Sequence, residues 1–132
     1  MIEIVSPGNN SGRKAMQAFV DKAAELIYRQ IQLLIVDLHP PGKRDPQGIH
    51  GEIWEAVAGE EYQAPADKPF TLASYESYQS VKAYVIHATV GNALANMPLF
   101  LEPGLAVEVP LEATYQAAFD GVARRWRSVL EP

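Results

Sequence analysis

The chain opens with a short apolar run, a turn-rich loop and a helical stripe. Residues 2–5 are mostly β-branched, and residues 6–10 contain the Ser, Pro, Gly and Asn that favour turns. Ser11 suits a helix N-cap, and apolar residues then recur every three or four positions. The stripe consists of Ala15, Met16, Phe19, Val20, Ala23, Leu26 and Ile27. The pattern predicts a strand, a loop and a helix.

Residues 33–36 form a continuous apolar run without alternation, which is typical of a strand covered on both faces of a parallel sheet. With the first strand and the helix this run makes a βαβ unit, and such crossovers are right-handed in nearly all proteins. The two strands are therefore expected to be parallel. Their carboxyl ends then bring Ser6 and residues 37–39 to one edge of the sheet.

The rest of the chain predicts more helices and antiparallel strands. Residues 39–48 hold three prolines and two glycines and predict a loop, and a helix follows over residues 49–58. Residues 70–75 and 81–90 predict an antiparallel hairpin. Residues 97–101 and 105–109 form either another hairpin or an irregular wrap over the core. Pro110 suits the first helical position, and a helical stripe then runs to the C-terminus through Leu111, Tyr115, Ala118, Val122, Trp126 and Val129.

These elements predict one α/β domain over residues 1–132. Its sheet is mixed, with a βαβ core at the N-terminus, later antiparallel strands and a C-terminal helix. A length of 132 residues with 48% apolar and 20% charged residues is typical of a single globular domain.

The amino-acid composition excludes several kinds of site and indicates where in the cell the protein is expected. The absence of cysteine excludes disulfides and thiolate metal sites, and with no secretory apolar segment we expect a cytoplasmic protein. No apolar run approaches the roughly 18 residues of a membrane span. The formal net charge of -5 disfavours non-specific nucleic-acid binding, because that binding depends on Lys and Arg neutralising phosphates. A local basic patch is still compatible with this charge.

The loop at residues 6–14 joins a strand end to a helix start, where backbone N–H groups and the helix dipole attract anions. Its candidate anion-binding residues are Asn9, Ser11, Gly12 and Arg13. The loop is not a Walker A motif, because Gly8 and Gly12 enclose three residues instead of four and no Gly-Lys-Ser/Thr follows. An ordinary connection from strand to helix, capped by Ser and tightened by Gly, explains the same residues.

Glu3 lies inside an apolar strand, where an ionised carboxylate is costly unless it meets a cation or hydrogen-bond donors. Asp37, at the end of the second strand, is also expected to need a cation or hydrogen-bond donors. Two carboxylates on neighbouring parallel strands would suit Mg²⁺ or Mn²⁺, which prefer oxygen ligands. The alternative for Glu3 is a residue of an edge strand that faces water.

Two further sets of residues have simpler explanations. Arg124, Arg125 and Arg127 beside Trp126 resemble a nucleic-acid patch, but cations in the last turn of a helix also complement its dipole. His50 and His87 have no recurring ligand spacing, so we interpret both as structural.

Several motifs spread over the chain share the pattern of one known family. They are Ile2-Glu3-Ile4-Val5-Ser6-Pro7-Gly8-Asn9, Leu34-Ile35-Val36-Asp37-Leu38, Arg44-Asp45-Pro46-Gln47-Gly48-Ile49-His50, the stretch from Pro98-Leu99 to Tyr115, and within it Pro110-Leu111-Glu112-Ala113-Thr114-Tyr115. On these motifs the chain resembles a bacterial domain-of-unknown-function family, number four-thousand-fifty-eight, specifically the C-terminal part of a longer member. The first strand and its basic helix are more distantly similar to Uma-type restriction-endonuclease-like proteins.

In the restriction-endonuclease pattern an Asp on one strand and a Glu-x-Lys on the next bind the metal and orient the attacking water. The resemblance makes Glu3 the glutamate, while Val5 occupies the lysine position. In the Uma-type group a lysine from the following helix takes that place, which nominates Lys14 or Lys22. The Asp-bearing strand has no counterpart, since the antiparallel strands expected before the Glu strand would precede Met1.

The sequence therefore supports two functions on a restriction-endonuclease-like core. The first is a non-catalytic binding or assembly domain, favoured by the missing acid, the negative charge and the lack of a lysine after Glu3. The second is a Mg²⁺-dependent nuclease or phosphodiesterase, with Glu3 and Asp37 on the metal and Lys14 stabilising the developing charge. In addition, an uncovered first strand predicts a homo-oligomer that pairs through it.

Overall fold

The computed structural model describes residues 1–102 and 104–120, which form two sheets and three helices. In chain order the elements are β1 (Ile2–Ile4), α1 (Arg13–Tyr28), β2 (Leu33–Asp37), α2 (Gly48–Ala58), β3 (Phe70–Ser77), β4 (Val81–Ala88), β5 (Met97–Glu102), β6 (Leu105–Val109) and α3 (Leu111–Asp120). Among the helices in these residues, none combines the length and apolar character needed to cross a membrane.

The larger sheet has the strand order β1-β2-β3-β4. β1 and β2 are parallel, with Glu3 opposite Ile35, as expected for two strands joined through α1. β3 runs antiparallel to β2 and to β4. The predicted α/β class, the N-terminal βαβ unit and the later antiparallel strands are therefore confirmed.

One face of this sheet is covered by α1 and α2. All five residues of β2 are buried, which explains why its sequence shows no alternation. The stripe predicted for α1 supplies the helical side of the core, and Ile53 is the fully buried anchor of α2. The buried cluster on this face comprises Val5, Met16, Phe19, Val20, Ala23, Ile27, Leu33, Ile35, Ile49, Ile53, Ala73 and Tyr75.

The opposite face is covered by the β5–β6 hairpin. Leu34, Val36 and Leu72 pack there against Met97, which is fully buried. The hydroxyl of Ser74 donates a hydrogen bond to the carbonyl oxygen of Pro98 at 2.5 Å. Of the two alternatives for residues 97–109, the structure contains the hairpin.

The predicted N-cap of the first helix is wrong by one residue. Gly12 is the N-cap of α1, because Pro7–Asn10 form a 3₁₀ turn and Ser11 closes it. The Ser11 hydroxyl donates to the carbonyl oxygen of Gly8 at 3.0 Å instead of capping the helix. The predicted C-terminal helix begins at Leu111, one residue after the predicted Pro110, whose carbonyl oxygen accepts from the Thr114 N–H, and it is described as far as Asp120. Its continuation through Val122, Trp126 and Val129 lies outside the described residues.

Candidate functional site

Glu3 lies on the face of the sheet that carries α1. It pairs with Ile35, so the two side chains point to the same face. Glu3 Oε1 accepts a hydrogen bond from Lys22 Nζ at 2.7 Å, and the two side chains are 25% and 58% exposed. The Lys22 cation explains how an ionised carboxylate is tolerated in an apolar strand, since Glu3 is neither unpaired nor fully buried.

Lys22 is the one of the two nominated lysines that reaches Glu3. Lys14 is exposed near the start of α1. It precedes Lys22 by a little over two helical turns, a rise of about 12 Å. The structure therefore brings Glu3 and Lys22 together and leaves Lys14 in solvent.

Asp37 is almost completely buried at the end of β2, and its carboxylate binds backbone groups. Its Oδ1 accepts a hydrogen bond from the His39 N–H at 3.1 Å, and the N–H of Ile49 in the first turn of α2 also donates to this carboxylate. Asp37 thus caps α2 from a neighbouring strand, where the helix dipole favours an anion.

Burial raises the pKa of Asp37 above its ordinary value, and the nearby charge of Asp45 acts in the same direction. The N–H groups of His39 and Ile49 oppose that rise by stabilising the ionised carboxylate. Asp45 is itself buried, and its Oδ1 accepts a hydrogen bond from the Gly42 N–H at 3.0 Å. Both aspartates organise the loop between β2 and α2.

Glu3 and Asp37 point to the same face but do not share a partner. Glu3 lies opposite Ile35, two residues before Asp37. Strand geometry then separates the Cα atoms of Glu3 and Asp37 by about 8 Å. Across residues 1–102 and 104–120, no group of three or more His, Asp or Glu side chains could hold a metal ion. A Mg²⁺ site of these two carboxylates stays a prediction.

The predicted anion-binding residues lie together at the start of α1. The Ser6 N–H donates to Asn9 Oδ1 at 2.8 Å, and Ser11 donates to the loop backbone, so both polar side chains stabilise the loop itself. Gly12 is extended and has no side chain to cap the first N–H groups of α1. Arg13 is exposed. These contacts are those of a well-formed connection from strand to helix, and anion binding stays a prediction.

His39 connects the carboxyl ends of the two parallel strands, β1 and β2. Its Nε2 donates a hydrogen bond to the carbonyl oxygen of Val5 at 3.2 Å and ties the end of β1 to the end of β2. The sequence places these strand ends at one edge, and the structure confirms that prediction.

β1 forms one border of the described sheet, and its outer edge is apolar. Leu34 N–H donates to the Met1 carbonyl and Val5 N–H donates to the Val36 carbonyl, both at 2.9 Å. Because successive residues turn their backbone groups to opposite sides, the N–H and C=O groups of Ile2 and Ile4 face away from β2. Their side chains are 44% and 69% exposed. None of the described strands pairs with this edge.

A group of ring side chains that are distant in the sequence connects α2 to β3 and β4, and its centre is buried. We call it the aromatic–histidine cluster, and it contains His50, Trp54, Tyr62, Tyr75 and His87. His50 Nδ1 is hydrogen-bonded to the hydroxyl of fully buried Tyr75 at 2.5 Å. The Tyr62 hydroxyl is hydrogen-bonded to His87 Nε2, and His87 Nδ1 lies 3.2 Å from the Thr71 hydroxyl oxygen. The rings of His50 and Tyr62 meet edge to face at 4.5 Å.

Burial determines the protonation of this cluster. It lowers the pKa of His50 to about 4, with a smaller contribution from the nearby His87, so the imidazole is neutral near pH 7. Burial also raises the pKa of Tyr75 well above its ordinary value. Both side chains therefore act as neutral hydrogen-bonding groups. The helical pattern of the sequence indicates only that His50, next to Ile49, lies on the buried side of α2. It does not indicate the partner, because Tyr75 is 25 residues away.

No family model, curated protein or solved structure matches the chain. The resemblances on its motifs therefore stay predictions. The basic patch at Arg124, Arg125 and Arg127 with Trp126 lies outside the described residues.

Proposed function

We propose that this chain is a non-catalytic assembly domain that pairs with a second copy through the outer edge of β1. The observation that carries the proposal is the row of outward-facing backbone groups on Ile2 and Ile4, combined with their exposed apolar side chains. Such an edge is a template for another strand, because pairing satisfies its N–H and C=O groups.

A two-fold axis beside Glu3 would make this edge self-complementary. In an antiparallel pair, Ile2 of one copy lies opposite Ile4 of the other and the two exchange hydrogen bonds. The Glu3 residues then face each other across the axis. Lys22 at 2.7 Å from Glu3 supplies each copy with a cation that offsets part of the repulsion between the two carboxylates. The edge therefore suits a second copy of this chain in backbone geometry.

The carboxylates predicted for catalysis support the non-catalytic half of the proposal. Glu3 is engaged by Lys22, and Asp37 by backbone N–H groups at the start of α2. The formal net charge of -5 also disfavours a nucleic-acid substrate.

Replacing Ile4 with Asp is expected to raise the dissociation constant of the dimer by about tenfold or more, because the substitution places a charge on the pairing edge. Light scattering over a range of protein concentrations measures this directly. Val90→Asp is the matched control, since Val90 is an exposed β-branched residue in the loop after β4. A wild-type chain that stays monomeric at high concentration would refute pairing through β1.

With Mg²⁺ or Mn²⁺, the wild-type chain is expected to cleave neither duplex nor single-stranded DNA, since its two candidate carboxylates are held apart by different partners. Gel assays on supercoiled plasmid and on a labelled oligonucleotide test this. Glu3→Ala serves as the comparison and should behave as the wild type does. Metal-dependent cleavage that disappears in Glu3→Ala would overturn the non-catalytic function.

One contact favours a second candidate function, a Mg²⁺-dependent nuclease on a restriction-endonuclease-like core. A lysine from the helix after the Glu strand is what the Uma-type resemblance implies, and Lys22 Nζ lies 2.7 Å from Glu3 Oε1. In that function Glu3 would bind the metal and Lys22, instead of Lys14, would stabilise the developing charge. Loss of cleavage in both Glu3→Ala and Lys22→Ala would be its signature.

A further inference from the structure

A cavity of about 580 Å³ lies where β2 ends, β3 begins and β4 ends. Its walls are the loop after β4, the first two turns of α3 and the side chains of Leu38 and Phe70. It is separate from the outer edge of β1 and from the aromatic–histidine cluster. Its volume falls within the range of about 300–1,000 Å³ that is usual for small-molecule sites.

Hydrogen bonds within the protein fix the walls of this cavity. Asn92 Nδ2 donates to the Thr89 hydroxyl at 2.6 Å and closes the turn after β4. The Leu94 N–H donates to Glu112 Oε2 at 2.7 Å and ties that loop to α3. This bond thus holds the loop and the helix together beside the cavity.

Glu112 gives the cavity a negative charge. It is the single charged side chain among the described residues that line the cavity. The Leu94 N–H, and then the Gln116 amide, lower the pKa of Glu112 by stabilising its ionised carboxylate. Each of its oxygens accepts one of these bonds and has a further acceptor position, because an ionised carboxylate offers about four such positions.

The remaining lining is mainly apolar and includes two aromatic rings. Leu38 directly follows β2 and Phe70 is the first residue of β3, and both are half-buried, while Tyr115 is 53% exposed on α3. Aromatic faces attract organic cations, with Tyr and Phe both effective. One carboxylate held by hydrogen bonds, two aromatic rings and a mainly apolar lining together favour a ligand that is both cationic and apolar.

We propose that this cavity binds a small organic cation, an amine whose ammonium group meets Glu112 and whose apolar body packs against Leu38, Phe70 and Tyr115. Charge complementarity selects the cation, since an organic anion of the same shape would meet the Glu112 carboxylate without any described cation in the lining. The site is independent of assembly through β1, so either proposal stands if the other fails.

Tryptamine and indole-3-propionate are matched probes, because they share an indole body and carry opposite charges. Titration of the full chain followed by NMR chemical shifts is expected to show tryptamine binding, with shifts at residues 89–94 and 112–116, and at least tenfold weaker binding of indole-3-propionate. Glu112→Gln should weaken tryptamine binding several-fold, because it removes the negative charge that meets the ammonium group. Glu108→Gln on exposed β6 removes the same charge outside the cavity and should bind as the wild type does.

A second variant keeps the proposal testable if Glu112→Gln disturbs the loop. Tyr115→Ala removes an exposed ring and is expected to keep the melting temperature while weakening tryptamine binding several-fold. Absence of tryptamine binding to the wild type, equal binding of both probes, or wild-type affinity in both Glu112→Gln and Tyr115→Ala would each overturn the proposal. Chemical-shift changes confined to surfaces outside residues 89–94 and 112–116 would do the same.

Discussion

Replacing His50 with alanine is expected to lower the free energy of unfolding by about 4 kcal/mol near neutral pH. His50 is 2% exposed and its ring packs against Trp54, Tyr62 and Tyr75. The substitution leaves a cavity in this cluster and removes the partner of the Tyr75 hydroxyl, which is fully buried. Urea denaturation followed by circular dichroism measures the change.

A double-mutant cycle separates the hydrogen bond from the packing. Tyr75→Phe alone should cost about 1 kcal/mol, because it removes the hydroxyl bound by His50. In the His50→Ala background the same substitution should cost nothing or stabilise, since the hydroxyl already lacks its partner. Tyr78→Phe, at an exposed tyrosine, is the control and should change stability by less than about 0.5 kcal/mol. An equal cost of Tyr75→Phe in both backgrounds would contradict the assigned bond.

The wild-type chain is expected to lose up to about 3 kcal/mol of stability through His50 as the pH falls from 6.5 to 4. Burial lowers the pKa of folded His50 to about 4 from 6.5, so the unfolded chain takes up the proton first. Stability from this residue is complete above pH 6.5, falls as the pH drops through that window, and changes no further below pH 4. Urea denaturation at several pH values gives the slope.

His50→Gln is the matched variant for this measurement, because it retains a polar side chain that does not titrate. The wild type should lose more stability than His50→Gln across the window, and parallel curves would refute the lowered pKa.

Other titratable groups change the stability of both proteins over the same pH range. Burial also lowers the pKa of His87, which adds loss of the same sign. The raised pKa of Asp37 acts oppositely, since its neutral form favours the folded state at low pH.

Much of the fold follows from local patterns in the chain. The apolar stripe of α1, the continuous run of β2 and the loop between them predict two parallel strands, and the ladder from Ile2 to Ile4 confirms this. The first residue of α1 is harder to predict from the sequence, because Ser6, Asn9 and Ser11 all favour caps and turns. Their competition is decided by the 3₁₀ turn, which leaves Gly12 as the N-cap.

The candidate site was less predictable, because it depends on contacts between distant residues. The sequence predicts that the Glu3 carboxylate needs a partner and offers two candidate lysines, Lys14 and Lys22. Their selection depends on how α1 crosses the sheet, which brings residues 19 positions apart to 2.7 Å. The sequence predicts Asp37 at the carboxyl edge of the sheet, but not its bond to the Ile49 N–H, because that bond depends on where α2 lies.

Local patterns along the chain predict the α/β class, the order of the elements and the apolar faces that bury one another. These properties follow from side-chain periodicity and turn chemistry, which act over a few neighbouring residues. The tertiary structure alone decided which polar groups meet: Glu3 with Lys22, Asp37 with the start of α2, His50 with Tyr75, and Glu112 with Leu94. It also exposed the outer edge of β1 and formed the cavity beside α3. The physical reason is that burial, register and charge pairing depend on distances between segments that are remote along the chain.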